Sequence, residues 1–223
     1  MKILLAILAN VFCLSVAARQ TTVEDANPKV RALNGSFNSI SLSDGVSLFL
    51  TAGTEETLAV RFSEEKYEER FKSEVSGGVL KIYYDNKGLN YTDNKRRKLT
   101  AYVSFKNLEK IVGSGGASVK LASPISVSNL EMKFASGSVS EGTVKGKEIS
   151  IDQNCGSVVT MSGSAEKIIL VATSGAIFEG YEFTGTFCEA KQAVAVKYVF
   201  RLTKNCLPVR VAEEAFVTKE LLL

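Results

Sequence analysis

The chain has 223 residues, of which 27 are Lys or Arg and 24 are Asp or Glu, and it contains no His. Without His, Ser-His-Asp and Cys-His nucleophiles are impossible, and zinc sites lose their usual ligand. The formal net charge of +3 comes mainly from residues 191–223, which hold six basic and three acidic residues, so the rest is close to neutral and nucleic-acid binding has no compositional support.

The first 18 residues have the pattern of a secretory signal peptide. Lys2 precedes an apolar run over residues 3–16, and small residues suited to cleavage follow at Ser15, Ala17 and Ala18. The run is shorter than the roughly 20 residues of a membrane-spanning helix, and no later stretch is long enough either. A lipid anchor on Cys13 would require small residues before it, which are absent. We expect export to the periplasm, the cell surface or the medium.

A polar linker over residues 19–34 leads into a region, residues 35–108, of alternating apolar and polar side chains. Alternation with a period of two is typical of strands with one buried face. Four such runs occur, at 37–50, 58–62, 80–84 and 101–105, and the charged segment 64–72 has room for one short helical turn. We predict a meander of about four strands here.

Residues 109–190 contain a repeat of strands and turns with a period near 20. Four glycines mark it at spacings of 21, 19 and 19, namely Gly116, Gly137, Gly156 and Gly175. Short coils of this kind bury an apolar face only by stacking on one another, which predicts a β-solenoid. The glycines suit a left-handed or tight corner of each coil. A phosphate-binding loop is not indicated, because no helix start or Lys follows them.

Three cysteines remain beyond the leader, at Cys155, Cys188 and Cys206. No pair has metal-ligand spacing. An oxidising compartment permits a disulfide between Cys155 and Cys188, and the alternative is that both are small buried apolar residues of the coils.

Several short segments together resemble one protein family. They are Gly35-Ser36-Phe37, the bend at 43–48, Val79 to Ile82 after a glycine pair, and the repeated Ser-Gly-Ser-Val coils. In order and spacing, residues 34–190 resemble the putative auto-transporter adhesin head GIN domain family, a domain of unknown function. The family is named after a Gly-Ile-Asn motif, of which this sequence keeps only the glycine, at Gly45. The resemblance implies an exported, β-helix-like fold and no active-site residues. We therefore expect an all-β protein in which the meander runs into a right-handed parallel β-solenoid with coils of 19–21 residues.

The possibility of an enzyme rests on two patterns. Ser-x-x-Lys, a potential acylating dyad, occurs at Ser63 and at Ser164, but the second lies between strands rather than at a helix start. Glu141 and Glu179 each lie four residues beyond a coil glycine, which places them in one column roughly 10 Å apart. A carbohydrate-active enzyme needs such a pair of carboxylates. The alternative is two separate surface acids.

The remaining candidate site is a binding surface. Tyr83, Tyr84 and Tyr91 lie close in sequence to the basic run 95–98, which includes Arg96 and Arg97. Tyrosines can stack on sugars and basic residues can contact anionic envelope polymers. The alternatives are that the basic run is a solvated loop, or that its charges prevent a sheet edge from pairing with the edge of another molecule. We expect a non-enzymatic, adhesin-like module without metal or cofactor that binds envelope or host glycans or surface proteins, or a purely structural protein.

Residues 191–223 break the repeat, because they contain neither glycine nor serine although the preceding coils are rich in both. If suitable codons are chosen for this stretch, the reading frame shifted by two nucleotides can encode a Ser-Gly-rich coil at the position where the repeat predicts one. We therefore predict a frameshifted tail from about residue 191, in which Cys206 has no functional meaning.

Overall fold

The computed structural model describes residues 28–89, 97–193 and 197–200. Its strands form one 15-stranded sheet. They are β1 Lys29–Arg31, β2 Ser39–Leu42, β3 Val46–Ala52, β4 Thr57–Phe62, β5 Phe71–Ser76, β6 Val79–Tyr84, β7 Leu99–Phe105, β8 Lys110–Gly113, β9 Ser118–Leu121, β10 Ile125–Ser126, β11 Asn129–Phe134, β12 Val139–Gln153, β13 Val158–Thr173, β14 Ile177–Ala193 and β15 Lys197–Phe200. The helical turn expected in residues 64–72 is a 3-10 turn at Glu65–Tyr67.

Alternating side chains give each strand one buried face. In β7, for example, every second residue from Leu99 to Phe105 is buried. The inward rows of all strands join into one core that includes Leu48, Ile82 and Phe178. The all-β prediction is confirmed. The sheet is curled and mixed, with parallel and antiparallel pairs, and the closed right-handed solenoid stays a prediction.

Most of the sheet is built from strands stacked in parallel on either side of a corner. On one side β2, β8, β11 and the end of β12 are neighbours, and on the other side β3, β9 and the start of β12 are neighbours. From β12 to β13 every pair is offset by 19 residues, as in Ser140 with Val159 and Ile151 with Leu170. The period seen in the sequence is therefore the spacing between hydrogen-bonded neighbours.

The predicted N-terminal meander is wrong. β2 pairs in parallel with β6 and β8, and β3 pairs in parallel with β7 and β9. Residues 39–52 are thus another layer of the parallel stack. Among the described strands, antiparallel pairs occur only at the edges of this parallel stack. β4 pairs with β7 and with β1, and β5 forms a hairpin with β6. Alternation identified β2, β3, β4, β6 and β7 and their buried faces, but it carries no information about the partner of a strand. β1, which lies within the predicted polar linker, and β5 were not predicted.

The corner is a ladder of tight turns. Gly116, Gly137, Gly156 and Gly175 have φ between +70° and +75°, and the residue before each also has positive φ. Each turn closes with an i to i+3 backbone bond, as from the amide of Ala176 to the carbonyl of Thr173. Two positive φ values with this bond define a type I′ turn. The amides of Gly116, Gly137 and Gly156 also donate to the next turn. The positive φ values confirm the predicted left-handed corner.

The two described cysteines lie in different surroundings. Cys188 is buried in β14, as expected of a small apolar residue, whereas Cys155 is exposed at the corner with a φ of +48°. No disulfide joins them.

The predicted leader, residues 1–18, lies outside the described residues, as do Cys206 and everything after residue 200. β14 continues to Ala193, and β15 pairs with the start of β14. The frameshift stays a prediction that resequencing the coding DNA would test. No helix in the described ranges has the length and hydropathy needed to cross a membrane.

Candidate functional site

One column of outward side chains crosses the parallel strands, with one residue contributed by each strand. Neighbouring members are register partners, so the column is continuous. We call it the outer column, and it consists of Tyr102, Phe49, Lys120, Glu141, Thr160 and Glu179. The predicted sharing of a column by Glu141 and Glu179 is confirmed, with Thr160 between them.

A groove of about 480 Å³ lies over the last four members of the outer column. Lys120 pairs with Glu141, with 2.6 Å between Nζ and Oε1. The Thr160 hydroxyl donates to the Glu179 carboxylate at 3.3 Å. The floor and side of the groove also include Leu121 and Met161. The groove thus offers hydrogen-bonding oxygens beside apolar surface, which is the usual make-up of a ligand site.

A β-bulge in β14 shapes this groove. Thr160 is opposite Glu179, but Ser162 is opposite Glu182, so β14 has one residue more than β13 at this point. The extra residue turns both Tyr181 and Glu182 outward, and Tyr181 is 57% exposed beside the groove. Bulges re-aim side chains in this way and are common next to functional sites. We call the cavity the Tyr181 groove.

The charges around the Tyr181 groove are mostly negative. Three carboxylates, those of Glu141, Glu179 and Glu182, face one ammonium group, that of Lys120. Such a surface disfavours acidic ligands and favours neutral or cationic ones. Among the described residues no cluster of Cys, Asp and Glu is arranged to hold a metal ion.

A second groove of about 720 Å³ lies between residues 105–109 and 126–129. Its lining is mainly loop backbone and polar side chains, and its aromatic residue, Phe105, is buried. It therefore lacks an exposed ring for recognition.

The sequence model of the family described as "Putative auto-transporter adhesin, head GIN domain" matches residues 36–196. The chain belongs to this family. This head GIN domain shares its fold with solved structures of low sequence identity. A putative adhesin from Bacteroides fragilis superposes with a TM-score of 0.64 at 16% identity and 78% coverage of each chain. A putative lipid binding protein from Parabacteroides distasonis gives 0.60 at 17% identity, covering 80% of this chain and 83% of that one. No curated protein sequence matches it.

Of the five residues that the sequence suggested for ligand binding in this head GIN domain, Tyr91 and Arg96 lie outside the described residues. Tyr83 is half-buried on β6. Tyr84 is only 4% exposed, with the Arg97 guanidinium 3.8 Å from its ring centroid. Ligand binding at these residues stays a prediction, and Tyr83 is the more exposed of the two described tyrosines in this set.

Arg97 instead joins two parts of the fold. Its guanidinium donates to the Asp44 carbonyl at 2.8 Å and to the Asn86 side-chain oxygen at 3.0 Å. Asn86 in turn donates to the Asp44 carboxylate at 2.8 Å. These contacts connect the segment before β7 to the turn at Asp44 and Gly45, between β2 and β3. The Gly45 amide donates to the Gly115 carbonyl, so this turn stacks on the corner.

In both Ser-x-x-Lys pairs of this head GIN domain the lysine is engaged with a carboxylate. Lys66 lies 2.7 Å from Glu64, and Lys167 lies 3.0 Å from Glu148. Ser63 accepts a hydrogen bond from the Lys98 amide, and Ser164 lies inside β13. The hydrogen bond to Glu64 raises the pKa of Lys66 above its ordinary value, which opposes its use as a base.

Sequence reasoning missed Lys120, Thr160, Tyr181 and Glu182. Lys120 and Thr160 follow from the register once the strand partners are known. The signal for Tyr181 was one extra residue: Glu182 lies 20 positions from its partner Ser162, whereas the β12 to β13 pairs are 19 apart.

Proposed function

We propose that this head GIN domain is an exported, non-enzymatic binding module of the cell surface, and that carbohydrate is bound in the Tyr181 groove. The observation that supports this most is the bulge in β14, which places an exposed ring beside Glu141, Glu179 and Glu182. Because this face is built on paired strands, the groups are held in place before a ligand arrives.

The chemistry of the groove suits a sugar. An aromatic ring covers the apolar face of a pyranose, while carboxylates and hydroxyls bond its OH groups. Glu141, Glu179 and the Thr160 hydroxyl lie within the same groove as Tyr181. The family description as an adhesin is consistent with recognition of surface molecules.

The leader pattern in the sequence supports export. The 19-residue offset and the stacked corner turns support a solenoid-like stack of coils. In such an arrangement the Tyr181 groove lies on the flank of the stack, accessible to large ligands.

The alternative is a glycoside hydrolase, and one observation favours it. Glu141 and Glu179 share the groove with one strand between them, roughly 10 Å apart. This is just above the separation of about 6.5–9.5 Å between the two carboxyl groups of inverting enzymes. Glu141 is already engaged in an ion pair with Lys120, however, and a catalytic role would require this pair to open.

A glycan array with the exported chain, run beside phosphatidylethanolamine and phosphatidylglycerol vesicles, tests the proposal. We expect saturable carbohydrate binding that Tyr181→Ala weakens about tenfold or more, a loss of about 1.4 kcal/mol. Tyr83→Ala is the matched control, an outward tyrosine on another strand, and should leave binding unchanged.

Three results would contradict the proposal. Binding lost in Tyr83→Ala but kept in Tyr181→Ala would move the site to β6. Binding to vesicles without binding to glycans would replace carbohydrate by lipid. Release of shorter sugars, abolished by Glu141→Gln, would establish the enzyme instead.

A further inference from the structure

The outer column extends well beyond the Tyr181 groove. From Glu179 it continues through Lys120 to Phe49 on β3 and Tyr102 on β7. Its six members are separated by five strand-to-strand steps of about 4.8 Å, so it spans about 24 Å. A single sugar covers only a fraction of this length.

One end of the column is aromatic, and an aromatic ring lies beside the other end. At one end the rings of Phe49 and Tyr102 are stacked with centroids 5.4 Å apart and planes inclined by 19°. The Arg61 guanidinium lies over Tyr102, 6.0 Å from the ring centroid. At the other end is the exposed ring of Tyr181. Both ends thus present aromatic surface on the same side of the sheet.

Between the ends, the column presents polar groups at every step. Lys120, Glu141, Thr160 and Glu179 succeed one another on adjacent strands, and each forms a hydrogen bond or ion pair with a neighbour in the column. Pyranose units in an extended chain follow one another at a distance similar to the strand spacing of about 4.8 Å. A linear glycan crossing the strands would therefore meet one outward side chain of the column at each unit.

We propose that the ligand is an extended, non-acidic linear polysaccharide that lies along the outer column, one sugar to each strand, from Tyr181 to the Phe49 and Tyr102 rings. The proposal deepens the proposed function and rests on it, because both use the Tyr181 groove. Around the Tyr181 groove three carboxylates face one ammonium group, which disfavours acidic sugar units at that end of the column. The binding energy is spread over about six units, so each short oligomer uses only part of the site.

Calorimetric titration with a size series tests this. The probes are β-1,4-linked N-acetylglucosamine oligomers of two to six units, with alginate oligomers of equal length as the acidic comparison. We expect affinity to rise with each added unit, by at least tenfold over the whole series, and alginate not to bind. Phe49→Ala should remove the gain from the longest oligomers and leave the disaccharide affinity unchanged.

Two controls keep the result interpretable. Phe49→Leu keeps an apolar side chain of similar size, so it should fold as the parent and still lose the gain with length. Tyr83→Ala should behave as the unmodified chain. Urea midpoints of all variants identify any that are misfolded.

The outcomes separate this inference from the proposed function. If the disaccharide and the hexamer bind equally and Phe49→Leu has no effect, the ligand stays within the Tyr181 groove and the extended site is refuted while the groove stands. If alginate binds better than the neutral series, or if glycans on the array bind but no oligomer of this series does, the extended non-acidic ligand is also refuted. If no carbohydrate binds at all, both proposals fail.

Discussion

Adding one methyl group at two different glycines should have very different effects on stability. Gly156 and Gly163 both have positive φ, +70° and +110° respectively. A Cβ at Gly156 would meet nothing within 4 Å. In Gly156→Ala the left-handed backbone conformation is therefore the only source of destabilisation, and it lowers the free energy of unfolding by about 1–2 kcal/mol. The less flexible unfolded chain of the Ala variant offsets about 0.4–1 kcal/mol of this loss. We expect a net loss of about 1 kcal/mol.

A Cβ at Gly163 would overlap the carbonyl oxygen of Val144 and lie 2.9 Å from its carbonyl carbon. These are backbone atoms of the paired strand β12, so relief requires β12 and β13 to separate locally. We expect Gly163→Ala to lower the free energy of unfolding by about 3 kcal/mol or more.

Urea unfolding followed by circular dichroism measures both losses, and equal m values would show that the variants unfold from similar states. If Gly163→Ala costs no more than Gly156→Ala, the close approach of β13 to Val144 is wrong.

Two further substitutions test side-chain contacts. Arg97→Lys removes the planar group that covers Tyr84 and donates to Asp44, so we expect the free energy of unfolding in urea to fall by about 1–2 kcal/mol. The control is Lys72→Ala at an exposed position, and an equal loss in that variant would show that the contacts of Arg97 do not stabilise the fold. Lys110 and Lys133 hold the pKa of Glu131 below its ordinary value. The stabilisation from these ion pairs is complete above the unfolded-state pKa of Glu131 and is lost as the pH falls through its lowered folded-state pKa. Glu131→Gln should therefore lower the free energy of unfolding by up to about 1 kcal/mol at pH 7 and by almost nothing at pH 2 to 3. A loss that does not change with pH would show that the ion pairs contribute nothing.

The candidate site shows how far local patterns reach. Equal distances of Glu141 and Glu179 from their coil glycines were enough to place them in one column, because a regular repeat brings equivalent positions into register. The neighbours that make the column a groove were not predictable in this way. Tyr181 faces outward because of a single extra residue in β14, and a bulge depends on how one strand pairs with the next.

The same limit explains Tyr84 and Arg97. Their closeness in sequence to other tyrosines and basic residues suggested a binding surface. In the fold Arg97 lies on the Tyr84 ring and bonds a turn more than 50 positions away in the chain, at Asp44. Composition indicates which groups are available, whereas only the packing determines whether they face a ligand or one another.

The sequence by itself determined the all-β class, most of the strands with their buried faces, and the left-handed glycine corners, because each depends on the conformation of a few consecutive residues. It did not determine the partners of β2 and β3, which lie between strands 40 to 71 positions away. Strands with identical alternation can pair in many ways, and the choice among them is made by burial of the whole core. The tertiary structure alone therefore decided that residues 39–52 belong to the parallel stack and that Phe49 and Tyr102 continue the column that begins at Glu179.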